Sequence, residues 1–475
     1  MNAPLPRTAW TTGTTEVFKT GTWRATLPRH AARPSPCHQA CPVNGEIATW
    51  IGHARSGDLR RAWEVLTLNN PFPAIAGRIC HHPCESACNR SAYDEALAVC
   101  ALERAVGDAA LAAGWQFSAP AVERAGHVAV LGGGPSGLSA AYQLRRRGWR
   151  VTLYEGQPQL GGLMRYGIPA YRLARTVLDG EIARIVALGV DVRTQALDAE
   201  GLQRLRASHD AVYVATGAAR SKRLPQLPAS AAWLMQGSDY LASCSSGQPP
   251  ELGRRIVVVG GGSAAMDVAR SARRTGSEVT VLALEPRERM PAQREELQEA
   301  LEEGLLLCDA TMLRGVHAGD GALSLDCVRV LFEAGRVQPL PDRDFRLEAD
   351  AIVVAIGQDA QLDLLPGVAA AAGVLSVDAG QATSEAGLWA GGDMASMARF
   401  VTEAVGMGKR AALDIDRVLR GEARAQATAL PATRAEEIAT WYHPHGRRPA
   451  QQRLPVAERL ADGAEVQLPL TLAQM

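Results

Sequence analysis

Six cysteines fall early in the chain, as Cys37-x3-Cys41-Pro, Cys80-x3-Cys84-x3-Cys88 and a lone Cys100. Thiols grouped on two loops are a ligand framework. The x3 spacings and the proline after Cys41 suit an iron–sulfur cluster better than a zinc ribbon. Zinc, or plain reduced thiols in a degenerate domain, are the other readings of the same residues. His38, His81 and His82 lie among them and read as surface or supporting groups, since thiols fill the ligand positions. Cys244, Cys308 and Cys327 form no C-x-x-C and read as core thiols.

The second chemical signal is a pair of glycine-rich turns, HVAVLGGGPSGLSAAYQL from His127 and RIVVVGGGSAAMDVARSA from Arg255. Each runs an apolar strand into glycines and then into a small-residue helix, the arrangement that grips a dinucleotide pyrophosphate at a helix N-terminus. Two turns imply two dinucleotides, one flavin and one nicotinamide. In the first, Gly132, Gly134 and Gly137 give G-x-G-x-x-G around Pro135 and Ser136, and Glu155 closes the next strand at a distance suited to a ribose diol. A tight packing turn without ligand is the bland alternative. In the second, Gly260, Gly262 and Ala265 hold the three positions around Ser263 and Ala264, with Asp267 following on the helix.

Other segments fit around a flavin. GGLMRYGIPAYRL, from Gly161, is placed to pass over the pyrophosphate and the ring, bringing Gly162, Leu163, Arg165, Gly167 and Ile168. Thr216 and Gly217 end a strand where the chain switches domain, and Gly357 stands in AIGQ. Gly392-Asp393 places a carboxylate after a strand, within reach of a ribitol hydroxyl or as a helix cap. The helix after Phe400, with Thr402 in its first turn, is expected to aim N–H groups at the flavin C2 carbonyl.

These parts need an α/β scaffold. The 475 residues carry 50 basic and 50 acidic side chains, which argues against nucleic acid or an anionic membrane as partner. No apolar run approaches the ~18–20 residues of a spanning helix, and the N-terminus shows no signal-peptide pattern. A reducing cytoplasm is expected. Residues 1–125 read as a helical, cysteine-rich iron–sulfur domain, and 126–235 as the first part of an FAD-binding domain. An NAD(P)-binding domain follows over 236–351, then the FAD domain resumes over 352–422, and 423–475 read as a tail with little core of its own. The expected fold is therefore two Rossmann-type domains, one inserted in the other, behind a small helical domain.

The order of cysteine-rich domain, GGGPSGL, GGLMRYGIP, ATG, GGGSAAMD, AIGQ and AGGD resembles the glutamate synthase small-subunit family. The electron-input half of dihydropyrimidine dehydrogenase shares this plan. The resemblance covers roughly residues 35–420 and implies an FAD-dependent NAD(P)H oxidoreductase that serves a larger catalytic subunit. A glutamate synthase large subunit is the default partner, with a dihydropyrimidine dehydrogenase or 2-oxoacid oxidoreductase subunit as alternatives. It implies that Cys41, Cys80 and Cys84, with Glu103 as fourth ligand, hold one [4Fe–4S] cluster. Cys37 and Cys88 are then remnants of another cluster, whose upstream C-x2-C is missing, and Cys100 faces the same region. NADPH-using relatives carry Tyr-Arg-Arg after the second nucleotide strand. This chain has Ala283-Leu284-Glu285, and an acid there favours NAD(H) over NADP(H), unless Glu285 is a solvated loop acid or Arg287 and Arg289 compensate. The rival class is a non-enzymatic nucleotide-binding protein, suggested by the missing thiols.

Overall fold

The computed structural model describes residues 33–319, 321–333, 336–423, 431–461, 463–471 and 474. The stretch read above for a signal peptide lies outside the described residues. The thiol-bearing unit is helical: α1 (Pro36–Ala40), α2 (Ile47–Arg55), α3 (Leu59–Thr67), α4 (Pro73–Ile79), α5 (Pro83–Ser86) and α6 (Val99–Ala112). Proline starts α1, α4 and α5, where a missing N–H goes unused. Asp58 caps α3 by accepting the Arg61 N–H at 2.9 Å. Trp50, Trp63, Leu66 and Val106 form its core. Helices α4 and α6 cross closely: a Cβ on Gly107 would lie 2.2 Å from the Ala74 nitrogen.

The first sheet contains β1 (His127–Leu131), β2 (Arg150–Glu155), β3 (Asp191–Thr194), β4 (Ala211–Val214) and β13 (Leu388–Ala390). All pairs are parallel, in the order β13-β4-β1-β2-β3. Helices α7 (Pro135–Arg146) and α8 (Arg175–Val186) belong to this unit. The second sheet contains β5 (Leu234–Gln236), β6 (Arg255–Val259), β7 (Glu278–Leu282), β8 (Leu306–Cys308) and β12 (Ala351–Val354), again all parallel, in the order β5-β12-β6-β7-β8. Its helices include α9 (Ser263–Arg274) and α10 (Arg294–Glu302). An antiparallel ribbon of β9 (Thr311–Ala318), β10 (Leu323–Glu333) and β11 (Arg336–Ala349), not foreseen from the sequence, precedes β12. The chain then returns to the first sheet and runs into α11 (Val401–Leu419), which packs on α7. Strands β4 and β12 are buried on both faces, as parallel strands covered by helices must be.

One boundary is corrected. The sequence pattern reopens the FAD domain at residue 352, but Ala351–Val354 is hydrogen-bonded between β5 and β6 in the second sheet. Ala355 stands to Gly260 as Ala215 stands to Gly132, since each carbonyl lies 2.3 Å from the Cβ its glycine lacks. AIGQ is thus the second sheet's counterpart of ATG.

The tail is not an appendage but a strap. The Glu465 carboxylate takes Arg78 Nε at 2.6 Å, Arg104 Nη2 at 2.8 Å and the Ala174 N–H at 3.0 Å. Arg459 pairs with Glu302 of α10 at 2.8 Å, Arg448 with Glu85 at 2.6 Å, and the Val466 N–H donates to Tyr171 O at 2.9 Å. Leu470 is buried against Ala98 and Ala101. Among the described residues no helix is long and apolar enough to cross a membrane.

Candidate functional site

The first glycine turn separates into positions the chain demands and one it does not. Gly132 has φ +100°, and a Cβ on Gly137 would sit 1.9 Å from the Gly132 carbonyl oxygen, so packing alone requires both. Gly134 has φ −78° and ψ −175°, open to any residue, and a Cβ there would meet only Gly162 Cα at 3.9 Å. Its lack of a side chain leaves a cradle at the N-terminus of α7, which fits a pyrophosphate. Gly162, φ +52°, lies over this turn, and the Gly161 N–H donates to Gly133 O at 2.8 Å. Glu155 accepts the N–H groups of Gly133 and Gln157, both at 2.7 Å, which fixes its carboxylate beside the turn.

Around this cradle, Ser136 hydrogen-bonds Tyr213 through the two hydroxyls at 2.6 Å, with Pro135 opening α7. Arg165 donates through Nε to Leu160 O at 2.6 Å and pairs with Asp179, while Leu163 stays exposed. The Gly167 N–H donates to Leu163 O at 2.9 Å, and Ile168 O accepts Arg175 Nη2 at 2.8 Å. Thr216 is exposed, and a Cβ added to Gly217, φ +73°, would meet no chain atom within 4 Å. Gly392, φ +66°, abuts Ser136, which brings Asp393 to the first turn of α7. Burial lifts the Asp393 carboxyl above its ordinary range against the pull of Arg399.

The second turn repeats the logic. Gly260 has φ +148° and is fixed by Ala355, whereas Gly262, φ −93°, has nothing within 4 Å of an added Cβ. Ser263 and Ala264 open α9, Ala265 is fully buried, and Gly357, φ +99°, borders open space. Register places Ala283 where Glu155 stands in the first sheet. The Glu285 carboxylate nevertheless reaches back, with Oε2 2.7 Å from the Cβ that Gly261 lacks; Glu155 stands 3.0 Å from that point on Gly133. Asp267 is engaged differently from a solvent-facing ligand. It pairs with Arg172 at 2.6 Å, Arg172 also holds Glu296 at 2.5 Å, and burial raises Asp267 to about 6. Tyr171, capped by the guanidinium groups of Arg270 and Arg274, completes this clamp between the two units.

In the thiol unit, Cys37, Cys41 and Cys84 share one small core, and Cys88 is buried. Cys37 Sγ lies 3.0 Å from Ser35 Oγ. Ala76 O accepts the Cys80 N–H at 3.0 Å and the Cys100 S–H at 3.5 Å, which sets Cys100 alongside Cys80. Glu85 Oε1 accepts the Cys100 N–H at 2.8 Å. Burial pushes Cys80 up to about 12 and also raises Cys84, where the charges of Cys41, Cys80 and Glu103 add to the rise. Glu103 is raised to about 7 by burial, with Asn70 Nδ2 donating to it at 2.8 Å. Burial and mutual repulsion hold these donors toward their neutral forms, and a cation among them would favour the thiolates, which fits a thiolate-ligated iron cluster. Among the described residues no three His, Cys, Asp or Glu side chains are arranged for a single metal ion.

Sequence reasoning missed the residues that join the units. Glu181 of α8 is buried and accepts the N–H groups of Ala74 and Ile75, both at 3.0 Å, at the start of α4. Lys409 of α11 donates to Val43 O at 2.8 Å and to Asn69 Oδ1 at 2.7 Å. Lone polar residues of this kind carry no periodic signal.

Residues 126–408 match the family described as pyridine nucleotide-disulphide oxidoreductase, and residues 30–115 match dihydropyrimidine dehydrogenase domain II, 4Fe-4S cluster. The chain is 36% identical to the NADP(+)-dependent formate dehydrogenase subunit beta of Moorella thermoacetica, over 91% of this chain and 68% of that one. It is 32% identical to the NAD-dependent dihydropyrimidine dehydrogenase subunit PreT of Salmonella typhimurium, over 81% of this chain and 91% of that one. It is 31% identical to the glutamate synthase [NADPH] small chain of Mycobacterium tuberculosis, over 83% and 87%. The chain spans 52% of the length of the NADPH-Fe(3+) oxidoreductase subunit beta of Geobacter sulfurreducens and 92% of that of PreT from Escherichia coli. The chain belongs to the pyridine nucleotide-disulphide oxidoreductase family, in the branch that carries a 4Fe-4S domain ahead of its two nucleotide folds.

Proposed function

We propose that this chain is an electron-input subunit that binds FAD at the Gly132–Gly137 turn and NAD(H), in preference to NADP(H), at the Gly260–Ala265 turn. One [4Fe–4S] cluster would be held by Cys41, Cys80, Cys84 and Glu103. When bound, the flavin supplies the exchange between a hydride pair and single electrons, and the cluster carries those electrons one at a time.

The observation that supports this reading is a single helix. A Cβ on Gly408 of α11 would lie 2.1 Å from Ser136 O, and one on Gly406 would lie 2.2 Å from Pro42 O. The helix therefore rests directly on the flavin-side turn and on the loop beside Cys41. Glu285 is positioned to accept from a ribose diol and to repel a 2′-phosphate. Asp393 and Glu155 border the first cradle, where Glu155 is placed for the adenosine ribose. The relatives' names divide between NAD and NADP, so the cofactor preference rests on Glu285.

The chain would pass electrons to a larger catalytic subunit, of the glutamate synthase kind first, or of a dihydropyrimidine dehydrogenase or 2-oxoacid oxidoreductase. Anaerobic NADH should bleach the flavin bands and then the broad iron–sulfur absorbance near ~400 nm. A flavin that bleaches beside an unchanging iron–sulfur absorbance refutes the reading. Affinity capture from the native host identifies the partner.

A further inference from the structure

Thr402, expected from the sequence to face the flavin, also meets a thiol. It is the second residue of α11, 5% exposed, and its Oγ1 lies 3.7 Å from Cys80 Sγ. The same sulfur receives the His82 N–H at 3.3 Å. With its thiol proton in place Cys80 donates to Thr402 Oγ1 while the His82 N–H donates to the sulfur; once that proton is lost to ligation, the Thr402 hydroxyl is left facing the sulfur as a second donor, from the flavin-side helix.

The contact is held in register from three sides. The Phe400 ring, just ahead of the helix, packs against His81 with centroids 4.2 Å apart. Gly406 seats α11 on the loop after Cys41, and Lys409 ties the helix to Val43 and Asn69. Sliding the helix by one residue would break all of these at once.

Reduction of an iron–sulfur cluster by one electron adds one negative charge, shared onto its ligand sulfurs. A hydroxyl donor and a positive helix N-terminus beside one sulfur both favour that charge. We propose that the Thr402 hydroxyl donates to the Cys80 sulfur and raises the reduction potential of the cluster that Cys80 ligates. Thr402 is then a positioning and tuning residue for the electron acceptor, not one of its ligands. The inference rests on the cluster reading given under Proposed function.

The test compares anaerobically purified wild type, Thr402→Val and Thr402→Ser by iron content and by EPR-monitored titration with dithionite. Thr402→Val keeps the side-chain shape and removes the donor. Its cluster should be about tenfold harder to reduce in the equilibrium constant, a shift of ~59 mV for one electron. Thr402→Ser keeps the hydroxyl and should titrate like the wild type. Thr402→Ala makes the same comparison if valine disturbs folding, and must shift the same way. An unchanged potential in Thr402→Val with its iron intact overturns the inference, as does an equal shift in Thr402→Ser. A wild type without iron overturns the cluster reading itself, and this inference with it.

Discussion

Replacing Gly134 and Gly137 by alanine, one at a time, separates what the ligand requires from what the fold requires. At Gly134 the backbone angles suit alanine, and the new methyl meets only Gly162 Cα at 3.9 Å, an ordinary contact. Alanine at a compatible glycine stabilises by about 0.4–1 kcal/mol, through the unfolded chain. In a unit of this size that raises Tm by roughly 1–4 °C. Flavin-free Gly134→Ala should therefore melt at or slightly above flavin-free wild type. The methyl points into the cradle, however, and FAD affinity should fall at least tenfold, about 1.4 kcal/mol. At Gly137 the methyl would lie 1.9 Å from the Gly132 oxygen and 3.2 Å from Val130 Cγ1. Strand and helix must part, which costs about 3 kcal/mol or more, so flavin-free Gly137→Ala should melt well below the wild type. Differential scanning fluorimetry of flavin-free proteins, with FAD titration by quenching, reads both effects. Wild-type FAD affinity in Gly134→Ala, or a flavin-free form several degrees less stable than wild type, would refute the reasoning.

Cofactor choice should follow Glu285: the wild type has the higher kcat/KM with NADH in dye reduction, and Glu285→Arg shifts the ratio toward NADPH by about tenfold or more. Equal wild-type rates with both cofactors count against that role. Anaerobic protein should contain about four irons per chain, with Cys84→Ser losing most of them and Cys37→Ser keeping them; about eight irons would reveal a second cluster. Glu465→Ala leaves Arg78 and Arg104, with side chains only 5% and 4% exposed, short of a partner. It should destabilise the thiol unit by about 3 kcal/mol, read as an earlier urea transition, and an unchanged midpoint would show the strap to be incidental.

The nucleotide turns were legible because their chemistry is local. A strand, three small residues and a helix lie within twenty positions, and Gly137 is forced by a contact inside the motif, with the Gly132 carbonyl, whereas Ala215 and Ala355, which crowd Gly132 and Gly260, come from distant strands. Placing Ile352–Val354 with the first sheet, as the sequence pattern does, fails for a physical reason. A strand buried on both faces is a continuous apolar run, and AIVV carries no mark of which sheet it joins. The tail was illegible for the opposite reason. Its anchors, Arg448, Arg459, Glu465 and Leu470, are single residues whose partners lie far away in sequence. Asp267 looked like part of the cofactor turn, and only the fold reveals Arg172 as its partner.

The strap also imposes an order of events on synthesis. Glu465 cannot meet Arg78 and Arg104 until nearly the whole chain has been made. At ~5–20 residues per second, the roughly 350 residues between the end of the thiol unit and Glu465 take about 20–70 s to add. Throughout that interval the two arginines lack the glutamate, and the wall that the tail forms beside Cys80, His81 and His82 does not yet exist. Metal delivered during translation would meet a thiol unit without that wall; metal delivered afterwards would meet a cavity that the tail already borders.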